Sequence, residues 1–263
     1  ANILPIIEAN IYDGQIVIVS EYAPDGSLEE KVQQEIPIKQ TLETVIGILN
    51  GLEFLHNRQI IHRDIKPANI LLQGDNPRLA DFGISRAMQT SSISSTIIGT
   101  DSYMSPESFE GKRSIQTDIW SVGVVLYQLL VGKLPFPQEN PSEKMFAILT
   151  KEFARLPDEI PQNLCQIIKK ALAKLPENRY QTTSLMREDL QFFLSGLSHS
   201  TKVQNQPTAF LPVPTTLSPN LVTSIPNEKP SIVTVITPNF VQAQSQIEPT
   251  KPLFSETNSP MSH

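Results

Sequence analysis

The sequence has little cysteine and no long apolar run. Cys165 is the only cysteine among 263 residues, which excludes an intrachain disulfide framework and a thiolate metal site. The longest apolar run, residues 122–131, is broken by Gly123 and Gln128 and is too short to span a bilayer. The N-terminus has no basic region followed by an apolar run, so no signal peptide is indicated. We therefore expect a protein of the reducing cytoplasm, with no membrane segment in this chain.

Positive charge is also in short supply. The chain has 21 Lys and Arg residues against 27 Asp and Glu residues, which gives a formal net charge of −6 at pH 7. Proteins that bind nucleic acid or anionic membrane surfaces usually carry a surplus of basic residues. The charge balance therefore predicts no nucleic-acid partner. The length is enough for one good-sized domain and an additional segment.

The additional segment begins after Ser198, where the composition changes. The last 65 residues contain ten prolines, no glycine and only six Asp, Glu, Lys or Arg residues. A segment of this composition cannot bury enough apolar surface to offset the loss of chain entropy. We expect residues 198–263 to form a disordered tail rich in Pro, Ser and Thr. Such a tail can also serve as an interaction segment for a partner domain.

The remaining residues predict strands followed mainly by helices. Residues 3–23 contain two apolar, strand-like runs around Asp13-Gly14, which indicates a hairpin. Two short strands are predicted on either side of a turn at 74–77. The Ser/Thr-rich stretch 84–103 has no apolar period and predicts a long loop. Apolar residues at helical spacing predict four helices, which cover residues 42–55, a central buried stretch from about residue 116, residues 164–172 and residues 186–197.

One polar loop carries most of the chemical information. Residues 62–69, His-Arg-Asp-Ile-Lys-Pro-Ala-Asn, place a carboxylate, an ammonium and a carboxamide within eight positions. Phosphoryl transfer asks a protein mainly for positioning and charge neutralisation. Asp64 can orient a hydroxyl and Lys66 can reach a phosphate, while Asn69 and Asp81 offer the oxygen ligands that Mg²⁺ prefers. Each residue alone is compatible with a solvated loop or a turn, but the ordered set points to phosphoryl transfer.

This loop, followed by Asp81-Phe82-Gly83, resembles the catalytic and metal-binding motifs of the protein kinase family. Residues 99–107, Gly-Thr-Asp-Ser-Tyr-Met-Ser-Pro-Glu, are similar to the end of the activation segment in bacterial kinases of the eukaryotic type. The resemblance covers about residues 2–197 and implies an α+β, protein-kinase-like fold. Residues 1–23 would be a remnant of the small-lobe sheet with the hinge, and residues 24–197 a mainly α-helical large lobe.

The resemblance also implies an activity. It implies ATP-dependent phosphoryl transfer to Ser or Thr hydroxyls of protein substrates, because Lys66 after Asp64, with Thr100 before Pro106-Glu107, is the serine/threonine pattern. ATP and Mg²⁺ would be the cofactors. Asp64 and Lys66 would be catalytic, and Asn69 and Asp81 would hold the metal. The nucleotide would be bound by Lys66, Asn69 and Asp81 together with the hinge residues Glu21 and Ala23 and the pocket floor Leu71.

Further roles follow from the same resemblance. Ser20 would be the small gatekeeper before the hinge; the less favoured alternative is a strand residue that faces a neighbour, since strand register is not set by these residues alone. His62 and Phe82 would stack in the family's regulatory spine. Asp118 would hold the backbone of the catalytic loop. Finally, Glu107 and Arg179 would form a buried salt bridge.

Arg63, directly before Asp64, marks the subclass that is activated by phosphorylation of its own loop. A buried arginine favours an anion, which a phosphate on the loop would supply. The candidates for phosphorylation are Thr90, Ser91, Ser92, Ser94, Ser95 and Thr96. Their distance from Gly99 favours residues 94–96. The alternative is that these hydroxyls belong only to a solvated loop.

Two parts of the family pattern are missing before residue 62. There is no Gly-x-Gly-x-x-Gly, and the first lysine is Lys31, already past the hinge. We therefore expect an N-terminally incomplete kinase that is inactive alone, since one lost preorganised donor typically costs about 10²–10³ in rate. A different reading is a non-catalytic pseudokinase-like module that uses the large lobe as a docking surface. A third reading gives the tail the main role, as an interaction segment.

Overall fold

The computed structural model describes residues 2–12, 15–81 and 100–200. The chain opens with a β-hairpin, as predicted. Strands β1 (Ile6–Tyr12) and β2 (Gln15–Ser20) pair antiparallel, with Ile6 opposite Ser20 and Tyr12 opposite Gln15. The β-branched residues of both strands favour this pairing. The connecting pair Asp13-Gly14 lies outside the described residues.

A second two-stranded sheet confirms the strands predicted around the 74–77 turn. Strands β3 (Ile70–Gln73) and β4 (Asn76–Leu79) pair antiparallel. Gly74 takes a φ of 59°, which is the conformation that glycine adopts most readily in a tight turn. The Leu4 N–H donates to Leu79 O at 2.9 Å, and the Leu79 N–H donates to Asn2 O at 3.0 Å. These bonds fasten the start of the chain to β4.

Helices dominate the rest of the described chain, so the predicted α+β class is confirmed. The helices are α1 (Ile38–His56), α2 (Ile115–Val131), α3 (Pro141–Thr150), α4 (Gln162–Ala171) and α5 (Thr183–Ser200). All but α3 were predicted. No helix of the described ranges is long and apolar enough to cross a membrane. Because α5 reaches Ser200, the first residues of the predicted tail are helical, and residues 201–263 lie outside the described ranges.

Helix α3 is missing from the sequence-based prediction although its start is signalled. The Asn140 side-chain oxygen accepts from the backbone N–H groups of Ser142 and Glu143 at 2.9 and 3.2 Å. Pro141 follows at the first helical position, where its missing N–H has no cost. Only Ala147 and Ile148 of this helix are buried, which is too short a stripe to reveal the helical period.

Helix α2 is the centre of the core, as its apolar sequence predicts. Its residues 122–126 are buried, and Trp120 is fully buried beside them. A Cβ on Gly123 would lie 2.9 Å from the Ala171 Cβ, so the missing side chain permits close packing of α2 on α4. Helix α1 contributes the apolar stripe from Leu42 to Leu55 to the same cluster. The polar loop at 62–69 rests on this core, because its Ile65 belongs to the same cluster.

The predicted loop over 84–103 is wrong at its end. Residues Thr100–Tyr103 form a 3₁₀ helix. Helix α2 holds this turn, because Ser121 Oγ donates to Tyr103 O at 2.8 Å and Tyr103 OH donates to Gln128 Oε1 at 2.7 Å. A turn held by tertiary contacts leaves no apolar period in the local sequence. Residues 84–99 lie outside the described ranges.

Candidate active site

The loop at 62–69 is fastened to helix α2 by one buried carboxylate. Asp118 accepts from the backbone N–H groups of His62 and Arg63, each at 2.9 Å. Its Oδ2 also lies 2.8 Å from Nε2 of His56, at the end of α1. Arg63 has a φ of 69°, an uncommon conformation for a residue with a side chain, and the bonds to Asp118 hold it there. The predicted role of Asp118 is confirmed.

Three of the predicted site residues converge within this loop. Lys66 Nζ lies 3.0 Å from Asp64 Oδ2. The 3₁₀ helix Pro67–Asn69 turns Asn69 back, and its Nδ2 donates to Asp64 O at 2.8 Å and to Asp64 Oδ2 at 2.9 Å. Asn69 is 6% exposed, whereas the side chains of Asp64 and Lys66 keep 18% and 23% of their surface. A buried carboxamide therefore orients a carboxylate and an ammonium that remain accessible.

Asp81 follows β4 and adds a second carboxylate to this region. It has a φ of 56°. Burial raises the pKa of the Asp81 carboxyl above its ordinary value, and the negative charge of Asp64 raises it further. Two carboxylates in one partly buried region favour a cation. The site therefore combines negative charge with partial burial.

The donor atoms of Asn69 and Asp81 fit a magnesium ion. Because the Asn69 Nδ2 is used by Asp64, its Oδ1 is the atom that can face a cation. Within the described ranges, no group of three or more His, Cys, Asp or Glu residues could hold a metal by itself. Mg²⁺ typically takes one or two carboxylates and completes its shell with water and substrate phosphates. The residues present therefore suit Mg²⁺ only together with a phosphate-bearing substrate.

A cleft of about 370 Å³ adjoins this polar cluster, and Asp81 is part of its lining. Leu4, Ala23 and Ala80 are buried against one another, with Leu71 packed on them, and all four line the cleft. Pockets of this size and apolar character typically bind small molecules. The predicted nucleotide-binding residues Glu21, Ala23 and Leu71 thus share one cleft, and Ser20 also lines it, as the gatekeeper reading requires.

The predicted site residues do not all line this cleft. Asp64, Lys66 and Asn69 are outside its lining, and Ala68 connects it to their loop. The Ala23 N–H donates to no group among the residues that the structure describes. A planar ligand against Leu71 would therefore find one backbone donor at Ala23. The structure brings the predicted residues together as two adjoining groups, an apolar one and a charged one.

The predicted salt bridge between Glu107 and Arg179 is confirmed. Arg179 Nη1 and Nη2 donate to the two Glu107 carboxylate oxygens at 2.7 and 2.8 Å, a bidentate pair with the arginine side chain 0% exposed. Arg179 also donates to Gln116 O at 3.0 Å, at the start of α2. Burial alone would raise the pKa of Glu107, but its bonds to Arg179 bring it below the ordinary value. The pair anchors the 3₁₀ helix Pro106–Glu110 to the large helical core.

His62 lies in the core rather than in the solvent. It is 0% exposed. Burial lowers the pKa of His62, although the carboxylates of Asp118 and Asp64 act in the opposite direction. A neutral, packed imidazole is consistent with the predicted spine position. Its predicted partner Phe82 lies outside the described residues, as do the phosphorylation candidates Thr90, Ser91, Ser92, Ser94, Ser95 and Thr96.

Three long-range contacts were not predicted. His56 reaches Asp118 from α1, and Lys144 Nζ donates to Ser102 Oγ at 3.0 Å. Lys174 Nζ donates to Ile148 O at 2.8 Å, and burial lowers its pKa to about 8. Each contact joins residues that are between 26 and 62 positions apart in the chain. A single sequence gives no signal for such pairs, because neither partner belongs to a local motif.

Comparison with known proteins gives a consistent result. The family model for the protein kinase domain matches residues 1–191. The serine/threonine-protein kinase PknB of Mycobacterium leprae is 38% identical over 189 residues, which are 68% of this chain and 30% of the relative. The PknB of Mycobacterium tuberculosis H37Rv is 38% identical over 185 residues, 66% of this chain and 29% of that protein. A probable PknB of Lactococcus lactis is 31% identical over 198 residues, 72% of this chain and 32% of that protein. The chain spans less than a third of the length of each of these relatives.

Proposed function

The chain belongs to the protein kinase family, and we propose that it carries the large-lobe catalytic residues of a serine/threonine protein kinase. The proposed reaction transfers the γ-phosphoryl group of ATP to a Ser or Thr hydroxyl of a protein substrate. The observation that supports it best is the cluster of Asp64, Lys66 and Asn69 next to a cleft whose lining includes Asp81. The two mycobacterial relatives described above are serine/threonine-protein kinases, which supports the same class of substrate.

In the proposed mechanism Asp64 positions the attacking hydroxyl. Its accessible carboxylate would accept the hydroxyl proton as the oxygen attacks the γ-phosphorus and the bond to the departing ADP oxygen breaks. Lys66, 3.0 Å from Asp64, would neutralise charge that builds up on the transferring group. Asn69 holds the Asp64 carboxylate at 2.9 Å, so little reorganisation is needed when the substrate arrives.

In the proposed complex the apolar cleft receives the nucleotide base. Leu71 would lie against the base, and the Ala23 N–H would donate to its edge. Asn69 Oδ1 and the Asp81 carboxylate would hold Mg²⁺, which neutralises phosphate charge when it is bound. The cleft volume of about 370 Å³ is sufficient for a small heterocycle and part of its sugar.

The sequence before residue 62 lacks two features that the proposed reaction uses. No lysine occurs before Lys31, and no Gly-x-Gly-x-x-Gly occurs before the catalytic loop. We therefore expect residues 1–263 by themselves to show little or no phosphotransfer. The competing proposal, a non-catalytic docking module, rests on this same observation. The two differ in whether the Asp64 cluster performs chemistry once a phosphate-clamping lysine is supplied.

The test is phosphotransfer in two settings. Two proteins are compared: purified residues 1–263, and a longer polypeptide in which a glycine-rich loop and a strand carrying the phosphate-binding lysine precede Ala1. Each is incubated with Mg²⁺ and ATP labelled on the γ-phosphate. We expect no incorporation from the chain alone and robust incorporation from the longer polypeptide. Asp64→Asn should reduce the latter at least about 10²-fold, because the base is removed while the loop geometry stays.

A matched surface variant controls for non-specific effects. Asp158→Asn removes an exposed carboxylate paired with Arg155 and should leave incorporation unchanged. A longer polypeptide that is folded, binds Mg·ATP in a thermal-shift assay and yet transfers no phosphate would favour the docking module. Incorporation by residues 1–263 alone that disappears in Asp64→Asn would overturn the expected inactivity.

A further inference from the structure

Helices α4 and α5 form a groove that the proposed function does not use. Its volume is about 630 Å³, within the range of small-ligand and peptide sites. Each helix contributes one face, since the lining residues recur at intervals of three and four positions. The lining residues are Asn163, Gln166, Ile167 and Lys170 of α4, Tyr180, and Asp189, Phe192, Phe193 and residues 195–197 of α5.

The floor and the edge of this groove differ in chemistry. Ile167 and Tyr180 are 7% and 1% exposed and contribute apolar surface. Lys170 Nζ lies 4.0 Å from the centre of the Tyr180 ring, and Tyr180 OH donates to Asp189 at 2.7 Å, so the groove also has a charged side. Phe192, by contrast, is 81% exposed, the highest value among the exposed large apolar side chains of the described chain. The amide side chains of Asn163 and Gln166 line the groove and can bond to a peptide backbone. An extended apolar peptide is the ligand that such a surface suits.

The chain itself provides a peptide of this kind close to the groove. Helix α5 ends at Ser200, three residues after the groove-lining Leu197, and 63 residues follow. The first apolar cluster among them is Ala-Phe-Leu-Pro-Val at 209–213. We propose that residues 209–213 bind in cis to the α4–α5 groove, with Phe210 or Leu211 packed against Phe192.

The distances permit this return. Phe192 lies eight residues before Ser200 on a helix, a separation of about 12 Å at 1.5 Å per residue. The connection from Ser200 to Ala209 can reach about 30 Å when it is extended. It includes Pro207 and no apolar residue except Val203, so it does not compete for the groove. The extended length of the connection therefore exceeds the distance back to Phe192 by more than twofold.

The short tether also makes a weak contact sufficient. Two groups joined by a short flexible linker have an effective concentration of about 1 mM. A segment whose affinity as a free peptide is only about 0.1 mM would then occupy the groove about 90% of the time. That corresponds to roughly tenfold slower amide exchange in residues 209–213. The inference does not depend on ATP or on phosphotransfer.

Hydrogen–deuterium exchange of the full 263-residue chain, read by mass spectrometry of peptides that cover 209–213, tests the proposal. We expect about tenfold protection over the intrinsic exchange rate in the wild type. Phe210→Ser and Phe192→Ser should each abolish that protection. Phe240→Ser in the tail and Phe146→Ser on α3 are matched controls, and both should retain it. Phe146 is 56% exposed, so this control also leaves the core intact.

Each remaining outcome overturns the proposal. Exchange at the intrinsic rate in the wild type means that the groove is not occupied by this segment. Protection that survives Phe192→Ser, with an unchanged melting temperature, places the segment elsewhere. Protection that grows between about 5 and 100 µM protein, with dimers in sedimentation, assigns the groove to a second copy, since a tethered contact is independent of concentration.

Discussion

Removal of the Arg179 side chain should strongly destabilise the described helical core. Its guanidinium binds both Glu107 oxygens and also donates to Gln116 O, Lys174 O and Ala173 O at 3.0, 2.9 and 2.7 Å. Arg179→Met keeps an apolar stem but leaves a Glu107 carboxylate that is only 10% exposed without its partner. Loss of one partner from a buried pair costs about 3–5 kcal/mol of unfolding free energy.

Urea unfolding of the full chain at neutral pH measures this cost. Glu107→Gln should also destabilise, by about 2–3 kcal/mol, because the buried guanidinium loses its counter-charge. The double variant should cost clearly less than the sum of the two single variants, since neither group then remains unpaired. Arg155→Met, which removes an ion pair whose side chains are both 84% exposed, is the control and should change little.

The pH dependence gives an independent check on the same pair. The folded pKa of Glu107 is below the ordinary 4.5, so its stabilising contribution is complete above that value and is lost as pH falls through the folded pKa. In Glu107→Gln the free energy of unfolding should therefore fall less steeply as the pH drops below 4.5. If Arg179→Met costs less than about 1 kcal/mol, or if the single costs simply add, the pair does not couple the two elements.

Three further changes give separate predictions. Asp118→Ala removes the acceptor of the His62 and Arg63 N–H groups and should cost about 2–4 kcal/mol, with faster amide exchange at both residues; unchanged exchange would refute the anchoring role. Asn140→Ala removes the cap of α3 and should cost about 1 kcal/mol in urea unfolding. Lys174 has a folded pKa of about 8 against an ordinary 10.5, so the unfolded chain binds more protons between these values and stability should rise with pH there. Lys174→Met should remove that rise in melting temperature between pH 7.5 and 9.5, and an identical rise in the variant would contradict the assignment.

The sequence predicts those elements that have their own period or turn chemistry. The hairpin of β1 and β2, the β3–β4 pair and the stripe of α1 each need only local residues, and all were predicted. Helix α3 was missed because most of its side chains face solvent, so it offers a capping signal but no stripe. The turn at Thr100–Tyr103 was missed because α2, distant in sequence, supplies its hydrogen bonds.

The candidate site divides in the same way. The cluster around Asp64 was predicted because eight consecutive residues carry its charges, and the Asp118 contact and the Glu107–Arg179 pair followed from the family resemblance. The His56 contact with Asp118 was not predicted. A histidine at the end of an apolar helix has no distinguishing local context, so only the folded structure reveals its partner.

The loop at 62–69 is held by contacts within itself and from helix α2. Asp118 from α2 fixes the backbone at His62 and Arg63, and Asn69 fixes the Asp64 carboxylate. All these contacts lie between residues 62 and 118, and none uses the hairpin of β1 and β2. A loop held in this way should keep its geometry whether or not ATP is bound. A test of catalysis and a test of loop order therefore address different properties. In the longer polypeptide that supplies the glycine-rich loop and the lysine, Asp64→Asn should reduce phosphotransfer at least about 10²-fold without faster amide exchange at His62 and Arg63. Asp118→Ala should change both properties. Equal effects of the two variants on exchange would show that the loop is not anchored through Asp118.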